Sequence, residues 1–269
     1  MTGGSGPRRI VCLTEETTET LYLLGEQDRI VGISGFTVRP PQARREKPKV
    51  SAFTSAKIDR IVALKPDLVL GFSDLQADIA AALIRSGVEV HVFNQRSIAQ
   101  ILEFIRMLGG MIGVGDKASA LASTLERNVD TVRAEGARLP FRPRVYFEEW
   151  DDPMISAIRW VSELIRVAGG EDCFPELAAN AGGAQRIIAD PQEVVRRAPD
   201  LILGSWCGKK FRPDRVAARV GWSNIPAVVN GRLHEVKSAE ILQPGPAALT
   251  DGLRSLQRLI GDAARTAAP

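Results

Sequence analysis

One stretch of this sequence occurs twice, and the repeat limits the folds that the chain can adopt. Residues 60–73 read Arg-Ile-Val-Ala-Leu-Lys-Pro-Asp-Leu-Val-Leu-Gly-Phe-Ser, and residues 193–206 read Glu-Val-Val-Arg-Arg-Ala-Pro-Asp-Leu-Ile-Leu-Gly-Ser-Trp. Their Pro-Asp pairs are 133 positions apart, and a second pair of apolar runs, beginning at Arg9 and Arg144, is 135 positions apart. Two nearly equal offsets indicate a duplicated unit.

Each half alternates short apolar runs with longer amphipathic stretches, which is typical of βαβ units and of a parallel sheet flanked by helices. The strands predicted in this way are residues 9–13, 29–33, 67–71, 89–93, 144–147 and 200–204. The predicted helices are residues 14–24, capped by Thr14, and residues 58–64, 75–86, 160–168 and 192–198.

The middle of the chain has a different pattern. Between residues 97 and 136 apolar side chains recur at helical spacing, and we find no strand pattern there. We expect one long helix, kinked at its glycines. The sequence thus predicts an α/β fold with two Rossmann-like lobes, each with a parallel sheet, joined by a long backbone helix. The N-terminal lobe is residues 8–96, the connecting helix 97–136 and the C-terminal lobe 137–269.

Ligands of open parallel sheets bind outside the carboxyl ends of the strands, and pockets favour domain interfaces. We therefore expect a cleft between the lobes, lined by residues that follow the strands. Only 6% of the residues are aromatic, yet five aromatics fall at strand ends or in connecting loops, where they suit a large flat ligand. These five are Phe36, Phe53, Phe72, Trp150 and Trp206. Any single Phe among them is more often part of a core than a ligand contact, so the set carries the prediction, and Trp222 is expected to pack peripherally.

Charged residues complete the predicted ligand site, which also includes Glu149 and Lys209. Residues 148–152 form an acidic run that we interpret as a solvated loop, able to bind a cationic group; paired carboxylates for acid–base catalysis are the alternative. Residues 14–19 can cap a helix and do nothing more. We therefore assign no catalytic residue.

Several functional classes find no support in the sequence. Its cysteines, Cys12, Cys173 and Cys207, are odd in number and, like the two histidines, lack metal-ligand spacing, so we expect neither a disulfide framework nor a metal site. Their roles stay open, although Cys207 lies beside two lysines that could activate its thiol. Residues 113–118 fit a loose dinucleotide fingerprint but do not follow a strand. We predict that the protein is not an enzyme.

Charge and hydropathy limit which partners and which cellular location we expect. The net charge is +3 with interspersed signs, so the chain lacks the basic stripe of a nucleic-acid binder. The N-terminal residues contain no apolar signal segment, and no run approaches the ~20 apolar residues of a membrane span. The sequence by itself predicts a soluble, unexported chain, with a removed signal peptide as the alternative.

The chain resembles the two-lobed substrate-binding proteins, with a helical backbone, that serve ABC importers for vitamin B12, haem and iron-siderophores. It is most similar to the cobalamin-binding type. The resemblance covers residues 8–262 and rests on residues 9–21, 31–34, 40–43, 59–70, 169–172 and 199–203. It implies a monomer that binds cobalamin or a related corrinoid as transported ligand, not as cofactor. Its partner would be an ABC permease dimer with its ATPase, on the periplasmic side or the cell surface.

The resemblance also assigns residues. In the family, N-lobe aromatics hold the corrin ring, and Phe36, Phe53 and Phe72 stand at those places. The family docks on its permease through one acid per lobe, and Asp59 and Glu193 stand there, 134 positions apart. Many members have Glu at both places, so Asp59 departs from the pattern.

The C-terminal lobe departs further, because its ligand contacts do not match the family residue by residue. This leaves a haem or iron-siderophore binding protein as an alternative. A non-exported corrinoid carrier or sensor is another, since it would explain the missing signal and the free cysteines.

Overall fold

Two mainly parallel β-sheets organise residues 6–266, the part of the chain that this computed structural model describes. The chain divides into two units. Unit 1 runs to Gln95 and continues from Ala99 to Leu125. Unit 2 contains Arg96–Ile98 and begins again at Glu126. The predicted α/β class, with a sheet in each half, is confirmed.

Unit 1 contains a five-stranded sheet in the order β3-β2-β1-β4-β5, with every pair parallel. Its strands are β1 (Ile10–Cys12), β2 (Ile30–Ser34), β3 (Lys49–Ser51), β4 (Leu68–Phe72) and β5 (Val90–Phe93). Its helices are α1 (Glu15–Leu23), α2 (Pro41–Glu46), α3 (Ile58–Ala63), α4 (Ala77–Arg85) and α5 (Ile98–Met111), followed by α6 (Gly115–Gly136), which continues into unit 2. This order matches the first five strands of the Rossmann order 3-2-1-4-5-6.

Unit 2 has a sheet in the order β10-β9-β6-β7, with β8 paired to β6. Its strands are β6 (Arg144–Asp151), β7 (Met154–Ser156), β8 (Glu171–Asp172), β9 (Leu201–Gly204) and β10 (Leu233–Glu235). Its helices are α7 (Arg159–Val167), α8 (Pro175–Ala178), α9 (Gln192–Arg197), α10 (Pro213–Ala217), α11 (Pro226–Val229), α12 (Ser238–Ile241) and α13 (Leu253–Thr266). The expectation of a wholly parallel sheet needs one correction, because β7 pairs antiparallel with β6.

The repeat seen in the sequence is also present in the strand register. In unit 1 the central pair aligns Ile10 with Leu68, and in unit 2 it aligns Val145 with Leu201. Both partners of the second pair follow the first by the offsets of the two repeated sequence runs. The duplicated segments therefore build equivalent central strand pairs.

The predicted single helix over residues 97–136 is two helices. α5 ends at Met111, and α6 begins at Gly115 after a turn in which Gly113 has a φ of +76°. The two helices pack closely, because a Cβ on Gly109 would lie only 2.0 Å from the Cβ of Ala118. The break follows from this turn, whereas the sequence suggested only a kink.

Each unit has its own core. In unit 1, the ring of Phe93 at the end of β5 meets Phe104 of α5 edge-on, with centroids 4.8 Å apart. In unit 2, the Phe211 ring packs directly against Gly204. A Cβ on this glycine would lie only 1.8 Å from a carbon atom of the ring. α5 thus packs against the last strand of the first sheet, and a glycine at the end of β9 allows the second core to pack.

Candidate functional site

A loop after β2 presents Phe36, one of the predicted ligand residues. Its side chain is 62% exposed. The backbone N–H of Val38 in this loop donates to Glu15 Oε2 at 2.8 Å, and the Arg44 guanidinium donates to the carbonyl of Gly35 at 2.8 Å. The loop that carries this exposed aromatic is therefore held from both sides.

Phe53 and Phe72 are joined through a residue that the sequence did not single out. Gln76 is fully buried; its Oε1 accepts from the Phe72 backbone N–H at 2.9 Å, and its Nε2 donates to the Phe53 carbonyl at 2.8 Å. The Phe53 side chain is half-buried, whereas that of Phe72 is only 6% exposed. Among the predicted N-terminal aromatics, Phe36 is thus the most exposed, and Phe72 belongs largely to the interior.

Three glutamates in α1 lie buried at the carboxyl end of β1. Burial raises the pKa of Glu15 to about 8 and that of Glu16 to about 7. Glu19 pairs with Arg39 at 3.0 Å. The predicted cap is different in detail: Thr14 makes no side-chain capping bond and instead donates to Glu16 Oε1 at 2.6 Å. Glu15 and Glu19 therefore hold the Phe36 loop from inside the unit.

The acidic run in unit 2 is not the solvated loop that we expected. Residues 148–151 belong to β6, which extends into a hairpin with β7. Glu148 is fully buried and accepts from the Tyr146 hydroxyl at 2.8 Å, from Trp206 Nε1 at 3.1 Å and from Arg219 at 3.0 Å. A buried carboxylate needs such partners. The basic partner, Arg219, lies 71 positions away, so local sequence gave no signal for it.

Glu149 also forms an internal ion pair. Its carboxylate binds the buried guanidinium of Arg186 at 2.6 and 3.1 Å. Arg186 donates further to the Ser156 carbonyl at 2.6 Å. Glu149 thus ties β6 to the segment around residue 186, and the sequence offered no pattern that would have identified Arg186.

Trp150, Trp206 and Lys209 do come together in unit 2. The Lys209 ammonium lies 4.0 Å from the centroid of the Trp150 ring and 5.2 Å from that of Trp206, and it forms an ion pair with Asp151. Trp206 is nevertheless only 4% exposed, and it packs edge-on against Phe211. The half-buried Trp150 ring is thus the more accessible of the two.

Trp222, expected at the periphery, is fully buried in the same core. Its ring meets Tyr146 edge-on at 6.0 Å, and the Arg219 guanidinium lies over it at 4.8 Å. The prediction of peripheral packing was therefore wrong. The polar residues around it in sequence concealed a turn that inserts the indole into the core.

Asp59 and Glu193 occupy equivalent short helices, α3 and α9. Asp59 is exposed, and no basic partner for it exists among the described residues. The Glu193 carboxylate, by contrast, pairs with Arg197 at 2.8 Å and with Arg196 at 2.6 Å, and hydrogen bonds from these two arginines lower its pKa. The two acids therefore share a position in the repeat but differ in local charge.

The cysteines differ in accessibility. Cys12 and Cys173 are buried, and burial raises the pKa of each thiol to about 12. Cys207 is exposed. Within residues 6–266, no cluster of three His, Cys, Asp or Glu side chains has the geometry of a metal site. Over the same range, no helix has both the length and the apolar character needed to cross a membrane.

Comparison with known proteins gives consistent matches. A family model described as "Periplasmic binding protein" matches residues 10–240. The ABC transporter substrate-binding lipoprotein YvrC of Bacillus subtilis (strain 168) is 25% identical over 94% of this chain and 80% of its own length. The Vitamin B12-binding protein of Vibrio vulnificus (strain YJ016) is 25% identical over 90% of this chain and 86% of its own length.

A solved structure shares the fold. The periplasmic heme-binding protein RhuT from Roseiflexus sp. RS-1, in its apo form, superposes with a TM-score of 0.81. The match covers 96% of this chain and 100% of that protein at 24% identity.

Proposed function

Because the chain belongs to the periplasmic binding protein family, as a substrate-binding protein of the ABC-importer type, we propose that it binds cobalamin or a related corrinoid. Relatives that are about a quarter identical over nine tenths of the chain are named for vitamin B12 or cobalamin binding, which supports this ligand class. We propose that the residues at the carboxyl ends of the strands make the contacts.

The observation that carries this proposal is the exposure of Phe36. A Phe side chain that is 62% exposed leaves a large apolar surface in water. It follows β2 at the ligand-binding edge of a parallel sheet, and hydrogen bonds to Glu15 and from Arg44 hold its loop. A large flat ligand would bury this ring by stacking.

In unit 2, the half-buried Trp150 beside Lys209 supports the same proposal. Trp150 supplies an aromatic ring, and Lys209, which is paired with Asp151, lies over this ring and would hold it in place for the ligand. Glu149 takes a supporting role, since Arg186 already pairs with it. Trp206 and Phe72 would act mainly by holding the neighbouring strand ends in place.

The test is a titration of cobalamin, cobinamide and haem, followed by Trp fluorescence. We expect saturable quenching by a corrinoid at a Kd below ~100 μM, and a loss of at least tenfold in affinity for Phe36→Ala. Phe141→Ala, another exposed Phe, is the matched control and should bind normally. If none of the three compounds binds, or if both variants bind equally, the proposal fails.

A haem ligand is the second candidate, and Cys207 favours it. Thiolates are established haem ligands, and this thiol is exposed beside Trp206. The same titration with haem, followed at the Soret band, separates the two candidate ligands. A Soret band of bound haem that differs between Cys207→Ser and the wild type would indicate haem ligation by the thiolate.

We further propose that Asp59 and Glu193 dock the protein on a permease outside the cytoplasmic membrane. The acids stand at equivalent points of the repeat, so each unit presents one. Two equivalent acids suit two equivalent basic sites on a two-fold symmetric partner.

A further inference from the structure

Unit 2 contains a cavity that none of the predicted ligand residues lines. Its volume is about 550 Å³, within the range of small-molecule sites. The segments after β6 and before α9 form it, together with the turn that precedes the buried Trp222. At the rim, Val220 is 88% exposed, which is unusual for an apolar side chain. We propose that this cavity binds a small organic cation, an ammonium group on an apolar body.

The walls of the cavity are mainly apolar. Met154, Ile188 and Trp222 lie at its inner side and are buried, and Val220 contributes at the opening. Such walls favour the hydrocarbon part of a ligand, because its burial removes apolar surface from water. An aromatic ring or a short alkyl chain would fit the volume.

The charges around the cavity favour a cation. Its lining includes two carboxylates, those of Asp151 and Asp152. Lys209 pairs with Asp151, but Asp152 has no basic partner among the described residues. The positive side chain in the lining, Arg219, is neutralised by Glu148, which binds it through two nitrogens. These pairs cancel, and the exposed Asp152 carboxylate leaves one net negative charge beside the cavity, which favours a cationic ligand.

Two hydrogen-bond acceptors in the lining suit the same class of ligand. An ammonium group has three donors and no acceptor. The Gln192 side chain donates its amide N–H to the Val220 carbonyl at 3.1 Å, which leaves its Oε1 as an acceptor in the lining. Asp152 offers a second acceptor, one that carries charge. A carboxylate would bring no donor to these acceptors, and a hydroxyl would bring only one.

This inference does not depend on the corrinoid proposal, and its test uses another probe. Benzylammonium is titrated against benzyl alcohol and benzoate, which keep the ring and replace the cation with a neutral or anionic group. Binding is followed by calorimetry and by the indole N–H signals of the four tryptophans. We expect benzylammonium to bind saturably at ~1 mM or below, to shift the Trp222 signal and to weaken with salt. The Trp160 signal should not move, because Trp160 lies outside the cavity.

Two exposed positions give variants with matched controls. Asp152→Asn should weaken benzylammonium about twofold to fivefold and leave benzyl alcohol unchanged, whereas Asp214→Asn, outside the cavity, should change neither. Ala189→Phe should block all binding by filling the cavity, and Ala181→Phe should not. The proposal is overturned if benzylammonium fails to saturate by ~10 mM. It is also overturned if benzyl alcohol binds equally well, or if Ala189→Phe has no effect.

Discussion

The carboxylate of Asp67 accepts a hydrogen bond from the backbone N–H of Arg9, with an Oδ1 to N distance of 2.8 Å. Asp200 accepts from the backbone N–H of Arg144 at 2.8 Å in the same way. Each pair joins the residue after proline to the start of the central strand. The Pro-Asp motif therefore fixes β4 against β1 and β9 against β6, so its recurrence in the sequence has a structural cause.

Removing these two carboxylates should destabilise the protein by unequal amounts. Asp67 is exposed, whereas Asp200 is buried and also binds the Arg144 guanidinium at 3.1 Å. We expect the free energy of unfolding to fall by about 1 kcal/mol in Asp67→Ala and by about 2–3 kcal/mol in Asp200→Ala. Urea unfolding measures both losses. Equal losses would show that burial does not set the strength of this contact.

Stability should fall as the pH rises through the neutral range. The pKa of Glu15 is about 8 and that of Glu16 about 7, both above the ordinary glutamate value of 4.5 because of burial. The folded protein therefore keeps protons that the unfolded chain releases above that value. The stabilisation is complete below the ordinary pKa and is lost as the pH approaches about 8.

We expect a loss of at least ~1 kcal/mol in unfolding free energy between about pH 5 and pH 8. Glu15→Gln should flatten the upper part of this dependence, because glutamine is neutral and still accepts from Val38. Glu103→Gln, at an exposed position of α5, should keep it. Urea unfolding over this pH range gives the slopes, and an unchanged slope in Glu15→Gln would contradict the prediction.

We expect the main effect of replacing Trp206 to be a loss of stability, with any loss of ligand binding secondary to it. Trp206→Ala removes a buried ring and a donor to Glu148, so we expect a loss of about 3–5 kcal/mol in unfolding free energy. Trp206→Phe keeps most of the packing and should lose only about 1–2 kcal/mol. Thermal unfolding with circular dichroism measures both. If Trp206→Ala is as stable as the wild type, the Trp206 side chain does not hold the core together, and a direct ligand contact becomes the better explanation of its role.

Lys209 should control the titration of its neighbour Asp151. Burial by itself would raise the pKa of Asp151, but the hydrogen bond from the Lys209 ammonium, a backbone hydrogen bond and the nearby positive charges of Lys209 and Arg219 together lower it. Lys209→Met should therefore raise it, whereas Lys210→Met should leave it unchanged. The stability from this pair should be present above the ordinary aspartate pKa and vanish as the pH falls. Carboxyl-carbon NMR titration distinguishes the two variants.

Docking can be separated from ligand binding by a double variant. Asp59→Ala with Glu193→Ala should leave corrinoid affinity unchanged and abolish the ligand-dependent stimulation of the cognate transporter's ATPase. Asp78→Ala, an exposed acid of α4, should leave both unchanged. A collapse of affinity would place the two acids in the ligand site. Survival of both activities would favour the non-exported carrier.

Local patterns in the sequence were sufficient for the framework of the fold. The apolar run after each Pro-Asp pair predicted β4 and β9 to within one residue at each end, since these strands are buried on both faces. The edge strand β3 and the short strands of unit 2 were missed, because two or three residues carry too little periodicity to be recognised.

The site was harder to predict than the strands, because burial there depends on distant partners. The sequence placed Glu148 and Glu149 in a solvated loop, and only the fold brings Arg219 and Arg186 to neutralise them. The loop position of Phe36 was recognisable because this loop follows a strand, and its role in ligand binding stays a prediction. Gln76 was not, since a fully buried amide that holds two loops has no sequence signature.

The division of the chain into units has a consequence for its synthesis. Residues 96–98 belong to unit 2, yet unit 1 resumes at Ala99 and ends only at Leu125. A ribosome that has made the five strands of the first sheet has not yet supplied Phe104, the partner of the Phe93 ring. At about 5–20 residues per second, the remaining segment takes roughly 2–6 s to appear. During that interval the nascent chain exposes an unfinished apolar edge that a chaperone could bind.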